Sequence, residues 1–233
     1  MNARLKIAML CYPEMTLLDL LGPETVFSKF SDIYLVWKTL EPVHTDTNLS
    51  INPNCTLAGC PSDLDILFVP GGPGTGQMMQ DAQILSFLRD KSCTSRYITS
   101  VCTGSLILAA AGLMTGYKAT THWSAREELG MLGAIVIKER VVIDGNRITG
   151  GGITSGIDFG LKVMAKLIDE DVAKATTLFL EYDPEPPFTT GTPDTADDKI
   201  LSMLLPHLAP IKDGIIAATN KICRKDNQLL YAS

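Results

Sequence analysis

Short, continuous apolar runs punctuate the first hundred residues, each rich in Ile, Leu, Val and aromatic side chains: "LKIAMLCY" (5–12), "IYLVWKTL" (33–40), "DILFVPGG" (65–72) and "RYITSVC" (96–102). A run that is apolar at every position, rather than at alternate ones, fits a strand covered on both faces, as in a parallel sheet. Between the runs lie segments of helical character: 17–30, which carries Asp19 and Pro23; 76–91; and 103–112, which Gly112 closes. Strand and helix in alternation predict an α/β layered fold with right-handed crossovers.

The second half is less regular. "KATTHW" (118–123) precedes an expected strand pair, 134–138 and 140–149, with an Asp-Gly turn signal at "DGN". A long helical pattern, 154–181, follows Gly150-Gly151-Gly152, and the acidic, proline-rich "EYDPEPPFTTGTPDT" (181–195) reads as extended loop. The last amphipathic segment, 196–222, reads as a helix interrupted at Pro206 and Pro210. The expected organisation is one domain over residues 1–195, with a C-terminal helical extension, 196–233, packed on it.

Composition narrows the function. A chain of 233 residues with 45% hydrophobic and 20% charged content can bury a sizeable core. The net charge of −6, with no cluster of Lys or Arg, is the wrong sign for nucleic-acid phosphates or an anionic membrane surface. Neither nucleic acid nor membrane is therefore an expected partner, and no continuous apolar run approaches the ~18 residues that span a bilayer. "MNARLKIAML" lacks the small-residue cleavage site of a signal peptide and reads as a first strand. The six cysteines are scattered, so reduced thiols and a cytoplasmic location are expected. With three histidines, none near a CxxC, no zinc site is expected. The glycine-rich "VPGGPGTG" (69–76) lacks the Gly-Lys-Ser/Thr of a phosphate loop, and neither a metal nor an organic cofactor is expected.

Candidate chemistry concentrates in "YITSVCTGSLILAAAGLM" (97–114). Cys102 falls at the carboxyl end of a predicted central strand, where ligands bind in open α/β sheets. It precedes a helix whose N-terminal amides carry partial positive charge, a field that lowers a thiol's pKa. Gly104 leaves room for a tight strand-to-helix turn of the nucleophile-elbow kind. A buried cysteine packed as a small hydrophobe is the competing reading. Free amides at Gly71 or Gly72, with that of Thr103, would make an anion-stabilising pocket; a plain turn is the alternative. Asp19, a lone acid in "TLLDLLGPE", has helix capping as its plain reading.

The segments "DILFVPGG", "SVCTGSLILAAAGLMTGYKATTHW", "GGGITSGIDFGL" and "LEYDPEPPF" resemble the ThiJ/PfpI superfamily, relatives of class I glutamine amidotransferases, over about residues 5–195. An Asp in "LLDLLGPE" together with "VCTG" is similar to its isonitrile-hydrating subfamily; many members carry Glu where this chain has Asp19. AraC-type regulators share the core but continue into a helix-turn-helix domain, for which the few dozen residues after Asp194 leave no room. The resemblance implies a flavodoxin-like three-layer sandwich, a homodimer, and Cys102 as nucleophile, with Thr103 beside it and Asp19 within hydrogen-bond reach. It also puts His122, in "TTHW", near the cysteine as some members have it, and Ile153 on a helix start facing the thiol. The implied reaction hydrates a small-molecule isonitrile, R–N≡C, to an N-substituted formamide through a cysteine thioimidate, with water as the only other reactant. With a helix N-terminus favouring the thiolate, Asp19 is the expected holder of the proton the two groups share. A glyoxalase or deglycase using the same cysteine, and a non-catalytic thiol sensor, stay open as alternatives.

Overall fold

The computed structural model describes residues 4–230, with side chains described as far as Lys225. In chain order the elements are β1 (Leu5–Leu10), α1 (Leu17–Phe27), β2 (Ser31–Trp37), β3 (Val43–His44), β4 (Ser50–Ile51), β5 (Cys55–Thr56), β6 (Ile66–Val69), α2 (Thr75–Met78), α3 (Ala82–Ser92), β7 (Tyr97–Val101), α4 (Gly104–Ala110), β8 (Lys118–Ala119), α5 (Arg126–Met131), β9 (Ile135–Val136), β10 (Val141–Asp144), β11 (Arg147–Gly150), α6 (Ser155–Leu167), α7 (Glu170–Phe179) and α8 (Asp198–Leu230). Seven strands form the central sheet in the order β10-β11-β7-β6-β1-β2-β5. Every pairing in it is parallel except the β10–β11 hairpin. The α/β expectation holds.

Burial explains the apolar runs. Ile7 and Met9 on β1 pair with Ile66 and Phe68 on β6, and all four are fully buried. Phe159 of α6 packs its ring 5.6 Å from Phe68 and 6.3 Å from Phe27 of α1, tying helix and sheet layers into one core. The chain leaves β1 toward β2 on one side and β6 toward β7 on the other, so the strand order reverses between β1 and β6. Loops diverge at such a reversal and leave a crevice beyond the strands' carboxyl ends. Asp19 follows β1, Gly71 follows β6 and Cys102 follows β7.

Four expectations about elements are corrected. The helical pattern 76–91 splits because Asp81 Oδ1 accepts from the amides of Gln83 (3.0 Å) and Ile84 (3.1 Å), starting α3 afresh. The pattern 154–181 splits in the same way at Asp169, whose Oδ1 accepts from Asp171 (2.8 Å) and Val172 (3.3 Å). An aspartate at an N-cap ends one helix as readily as it opens the next. The hairpin is Val141–Asp144 with Arg147–Gly150, turning at Gly145; residues 135–136 instead pair in parallel with 118–119, because exposed Lys138, Glu139 and Arg140 break the strand between them. Finally, α8 runs continuously through Pro206 and Pro210. Residues 202–207 are all exposed, so the carbonyls those prolines cannot pair face water.

α8 differs from the sequence reading in a second respect. Asp198–Lys225 is long and apolar enough to cross a membrane by length and composition, at a mean hydropathy of 1.3, although charges interrupt any continuous apolar run. Its C-terminal half packs on α2 and α5 and buries Ile215, Ala218 and Thr219. The fit against α2 is close: a Cβ on Gly76 would lie 2.7 Å from the Gly214 carbonyl carbon. Its N-terminal half exposes Ile200, Met203, Leu204 and Leu205.

Candidate active site

β7 delivers the chain to Cys102, whose φ of +57° lies in the left-handed region. A non-glycine residue held there costs on the order of 1–3 kcal/mol and persists only when its surroundings over-determine it. They do. The Cys102 amide donates to the carbonyl oxygens of Gly150 (3.1 Å) and Gly151 (2.7 Å). Its carbonyl oxygen accepts from the hydroxyls of Thr121 (3.0 Å) and Ser105 (3.3 Å). Position 104 has to be glycine, because a Cβ there would lie 2.1 Å from the Val69 carbonyl oxygen. The strand-to-helix corner expected from sequence is present, and it aims a thiol with 5% exposure into the crevice.

Asp19 is fully buried in the first turn of α1. It does not cap that helix; the N-cap position is Thr16, and its side chain makes no capping bond either. Asp19 Oδ2 accepts the Gly71 amide at 2.9 Å, while Oδ1 has no hydrogen-bond partner. Burial raises the carboxyl from 3.8 to about 7, against the pull of the Gly71 amide and the neighbouring Cys102 thiol. The thiol is pushed well above its ordinary 9.0, first by burial and then by the charge of Asp19, while the Thr103 amide and hydroxyl favour the thiolate. Desolvation outweighs the field of a seven-residue helix. Burial and the Asp19 charge thus favour the neutral thiol, against the thiolate that the helix field alone favours.

The amides of Gly71 and Gly72 are not free, as the sequence reading had them. Gly71 N–H holds Asp19, and Gly72 N–H donates to Thr103 Oγ1 at 3.0 Å. Their work is to hold the acid and the hydroxyl in place, and among these turn amides it is that of Thr103 that favours charge on sulfur.

His122 and Ile153 line the neighbouring segment. His122 Nδ1 lies 2.8 Å from Ser124 Oγ and accepts the Ser124 amide at 3.4 Å, which leaves the ring proton on Nε2. Burial and Arg126 hold its pKa below the usual range, so the ring is neutral. Its Cδ2 would be 3.3 Å from a Cβ on Gly152, so its edge lies along the glycine run that anchors the cysteine. Ile153 follows on the turn into α6, with 38% of its surface exposed. Among the described residues, no group of three or more His, Cys, Asp or Glu side chains converges as a metal ion would require. A cleft of about 420 Å³, lined by Arg89, Thr115, Met131 and Cys223 among others, opens at the far end of α4 from Cys102.

A sequence profile of the DJ-1/PfpI family matches residues 5–166. The chain belongs to the DJ-1/PfpI family. A Pseudomonas putida protein named isonitrile hydratase is 48% identical over 208 residues, 88% of this chain and 91% of that protein. The crystal structure of a ThiJ/PfpI family protein from Pseudomonas syringae is similar at a TM-score of 0.90 and 46% identity, covering 93% of this chain and 91% of that one. The HTH-type transcriptional regulator CdhR of Pseudomonas aeruginosa is 33% identical over 153 residues, 62% of this chain but 44% of the regulator.

Two residues of this DJ-1/PfpI site escaped the sequence. Thr75, fully buried, places its Oγ1 2.7 Å from Thr103 Oγ1. Tyr12, also fully buried, donates its hydroxyl to the Pro70 carbonyl oxygen at 2.9 Å and lies 3.5 Å from Thr75 Oγ1. Nothing in the local pattern marks either residue, because a threonine in "GTG" and a tyrosine at a strand end are common turn and core residues.

Proposed function

We propose that this protein hydrates isonitriles to N-substituted formamides. The observation that carries the reading is the 48% identity, over 88% of the chain, to a protein named isonitrile hydratase. The buried pairing of an unpartnered carboxyl oxygen with a thiol supplies chemistry that suits it.

The reaction moves three protons: one from sulfur to carbon, one from water to nitrogen, and one from the added hydroxyl back to sulfur. Ionised Asp19 takes the proton of Cys102, and the thiolate attacks the terminal carbon of R–N≡C, forming the S–C bond. Asp19 then gives that proton to the same carbon, leaving a thioimidate, Cys–S–CH=N–R, and a carboxylate again. In the second half Asp19 draws a proton from water as the hydroxide adds to the carbon, and passes it to nitrogen. Collapse to the carbonyl breaks the S–C bond, and the hydroxyl proton returns to sulfur. The sum is one water added to one isonitrile. The Thr103 amide and hydroxyl stabilise charge on sulfur, Gly71 and Gly72 hold the acid and Thr103 in register, and His122 and Ile153 wall the substrate's entry.

Exposed Leu18 and Leu21 on α1, with the apolar row on α8, suit a homodimer interface. Six free cysteines fit a reducing compartment, the cytoplasm. Packing of α8 on α2 and α5 supports reading it as a helical extension of the domain. An acidic chain is not expected to bind nucleic acid.

Incubation with a simple alkyl isonitrile, followed by NMR for the formyl proton, tests the function directly. Formamide forming in proportion to enzyme is the expected result; consumption of methylglyoxal with no formamide would replace this reading with a glyoxalase. A structural variant probes the geometry. A Cβ at position 71 would meet Thr103 N at 2.5 Å, Thr103 Oγ1 at 2.6 Å and Asp19 Oδ2 at 3.0 Å. Gly71→Ala must push the acid and Thr103 apart, and displacements of that size cost about 10²-fold in rate. Unchanged kcat/KM in this variant would show that the registration of Asp19 and Thr103 is unimportant.

A further inference from the structure

Thr75 takes no part in the reaction written above, yet its hydroxyl is fully buried and makes a short contact, 2.7 Å, with the hydroxyl of Thr103, the residue next to Cys102 whose hydroxyl favours the thiolate. It is not spent on its own helix, whose N-cap is Gly74. Counting hydrogens shows what it does. Thr103 Oγ1 already accepts the Gly72 amide at 3.0 Å, and it has one hydrogen to give. Tyr12 has committed its own hydrogen to Pro70, so it can only accept from Thr75, at 3.5 Å.

Two arrangements satisfy these limits. In the first, Thr103 donates to Thr75, and Thr75 donates onward to the distant Tyr12 oxygen. In the second, Thr75 donates to Thr103, and the single Thr103 hydrogen is released to Cys102 Sγ. The first suits a neutral thiol. The second is favoured as charge grows on sulfur, for two reasons: a hydroxyl that accepts two hydrogen bonds is a stronger donor, and a bond to an ionised acceptor is roughly twice as strong as a neutral one. α2 cannot shift to substitute another group, because Gly76 is held against Gly214 of α8.

We propose that Thr75 is a positioning residue for thiolate formation: it turns the Thr103 hydroxyl toward the sulfur of Cys102. This rests on Cys102 being the reacting thiol, and not on which substrate it attacks.

The test is the rate at which iodoacetamide alkylates Cys102 in the full chain, read from the Cys102 peptide by mass spectrometry across pH. The account predicts that Thr75→Val slows alkylation at pH 8 by about 5- to 30-fold, the worth of one well-placed buried hydrogen bond, and moves the pH midpoint upward. Thr75→Ser, which keeps the hydroxyl, stays near the wild-type rate. Thr75→Val added to Thr103→Val causes no further loss. Should the valine variant not fold, Thr75→Ala removes the hydroxyl without pressing a methyl against Thr103 and carries the same expectations. An unchanged rate and pH midpoint, an equal loss on the Thr103→Val background, or failure of serine to restore the rate would each overturn the proposal. Iodoacetamide reports on the thiol whether or not isonitriles are the substrate, so failure of the proposed function leaves this result interpretable.

Discussion

Cys102→Ala is expected to abolish formamide formation, by on the order of 10⁴-fold or more, with the fold retained. The reasoning is local. The thiol is the one strong nucleophile at the junction of Asp19, Thr103 and the Gly150–Gly151 carbonyls, and the hydrogen bonds that hold residue 102 at its corner are made by its backbone. Alanine preserves all of these bonds, and also the cost of a φ of +57°, so thermal stability should change little. Cys102→Ser should fare nearly as badly. A hydroxyl is far harder to ionise than a thiol, and a carboxylate that titrates at about 7 is too weak a base to ionise it. Steady-state assays with circular dichroism of each variant check both statements; wild-type turnover by Cys102→Ala would remove the nucleophile from the account.

Asp19→Asn is expected to lower kcat/KM by on the order of 10²–10⁴-fold, the usual worth of general acid–base help, and at the same time to stabilise the protein above neutral pH. Asparagine keeps the acceptor for the Gly71 amide but cannot carry a proton between sulfur, carbon and water. The wild-type rate should rise with pH through about 7 as Asp19 ionises, and the variant should lose that limb. Stability follows from the same shift. The folded-state pKa is raised from 3.8 to about 7, so below about pH 4 folded and unfolded chains bind the proton alike. As pH rises toward 7 the unfolded chain has released its proton while the folded one retains it. Stability is lost across that window, at most on the order of 4 kcal/mol. Asparagine has no such loss, so its melting temperature should match wild type near pH 4 and exceed it at pH 8. Asp19→Glu retains the acid with a longer reach and should keep partial activity. Equal melting temperatures at pH 8 for wild type and Asp19→Asn would contradict the buried, ionising carboxyl.

The parts of this molecule written in short-range pattern were legible before the structure. Short apolar runs such as "IAML" and "ILFV" read as doubly covered strands, and Gly104 after Cys102 marked a tight corner. What pattern could not give was the choice among residues that satisfy two rules at once. Asp81 and Asp169 sit inside helical periodicity yet cap new helices, because their carboxylates found amides two and three residues ahead. Pro206 and Pro210 looked like breaks and are not, because the carbonyls they leave unpaired lie on an exposed stretch of α8. At the site, Cys102 and Asp19 were visible as candidates, but their electrostatics were not. The helix field was legible in sequence, whereas the burial that outweighs it is a property of the assembled core. Thr75 and Tyr12 were invisible for a related reason: they matter only through hydroxyl contacts made across the sheet, between segments as distant as residues 12, 75 and 103.

The central claim is that the isonitrile carbon becomes bonded to Cys102 and to no other cysteine. Rapid quench of enzyme with excess alkyl isonitrile, followed by mass spectrometry of its peptides, tests it most directly. The account predicts the added mass of one isonitrile on the peptide carrying Cys102, absent from Cys102→Ala and slower to form in Asp19→Asn, where no carboxyl carries the proton from sulfur to carbon. Formamide production at full rate with no adduct on Cys102 at any quench time, or with the adduct on Cys93 or Cys223 instead, would contradict it.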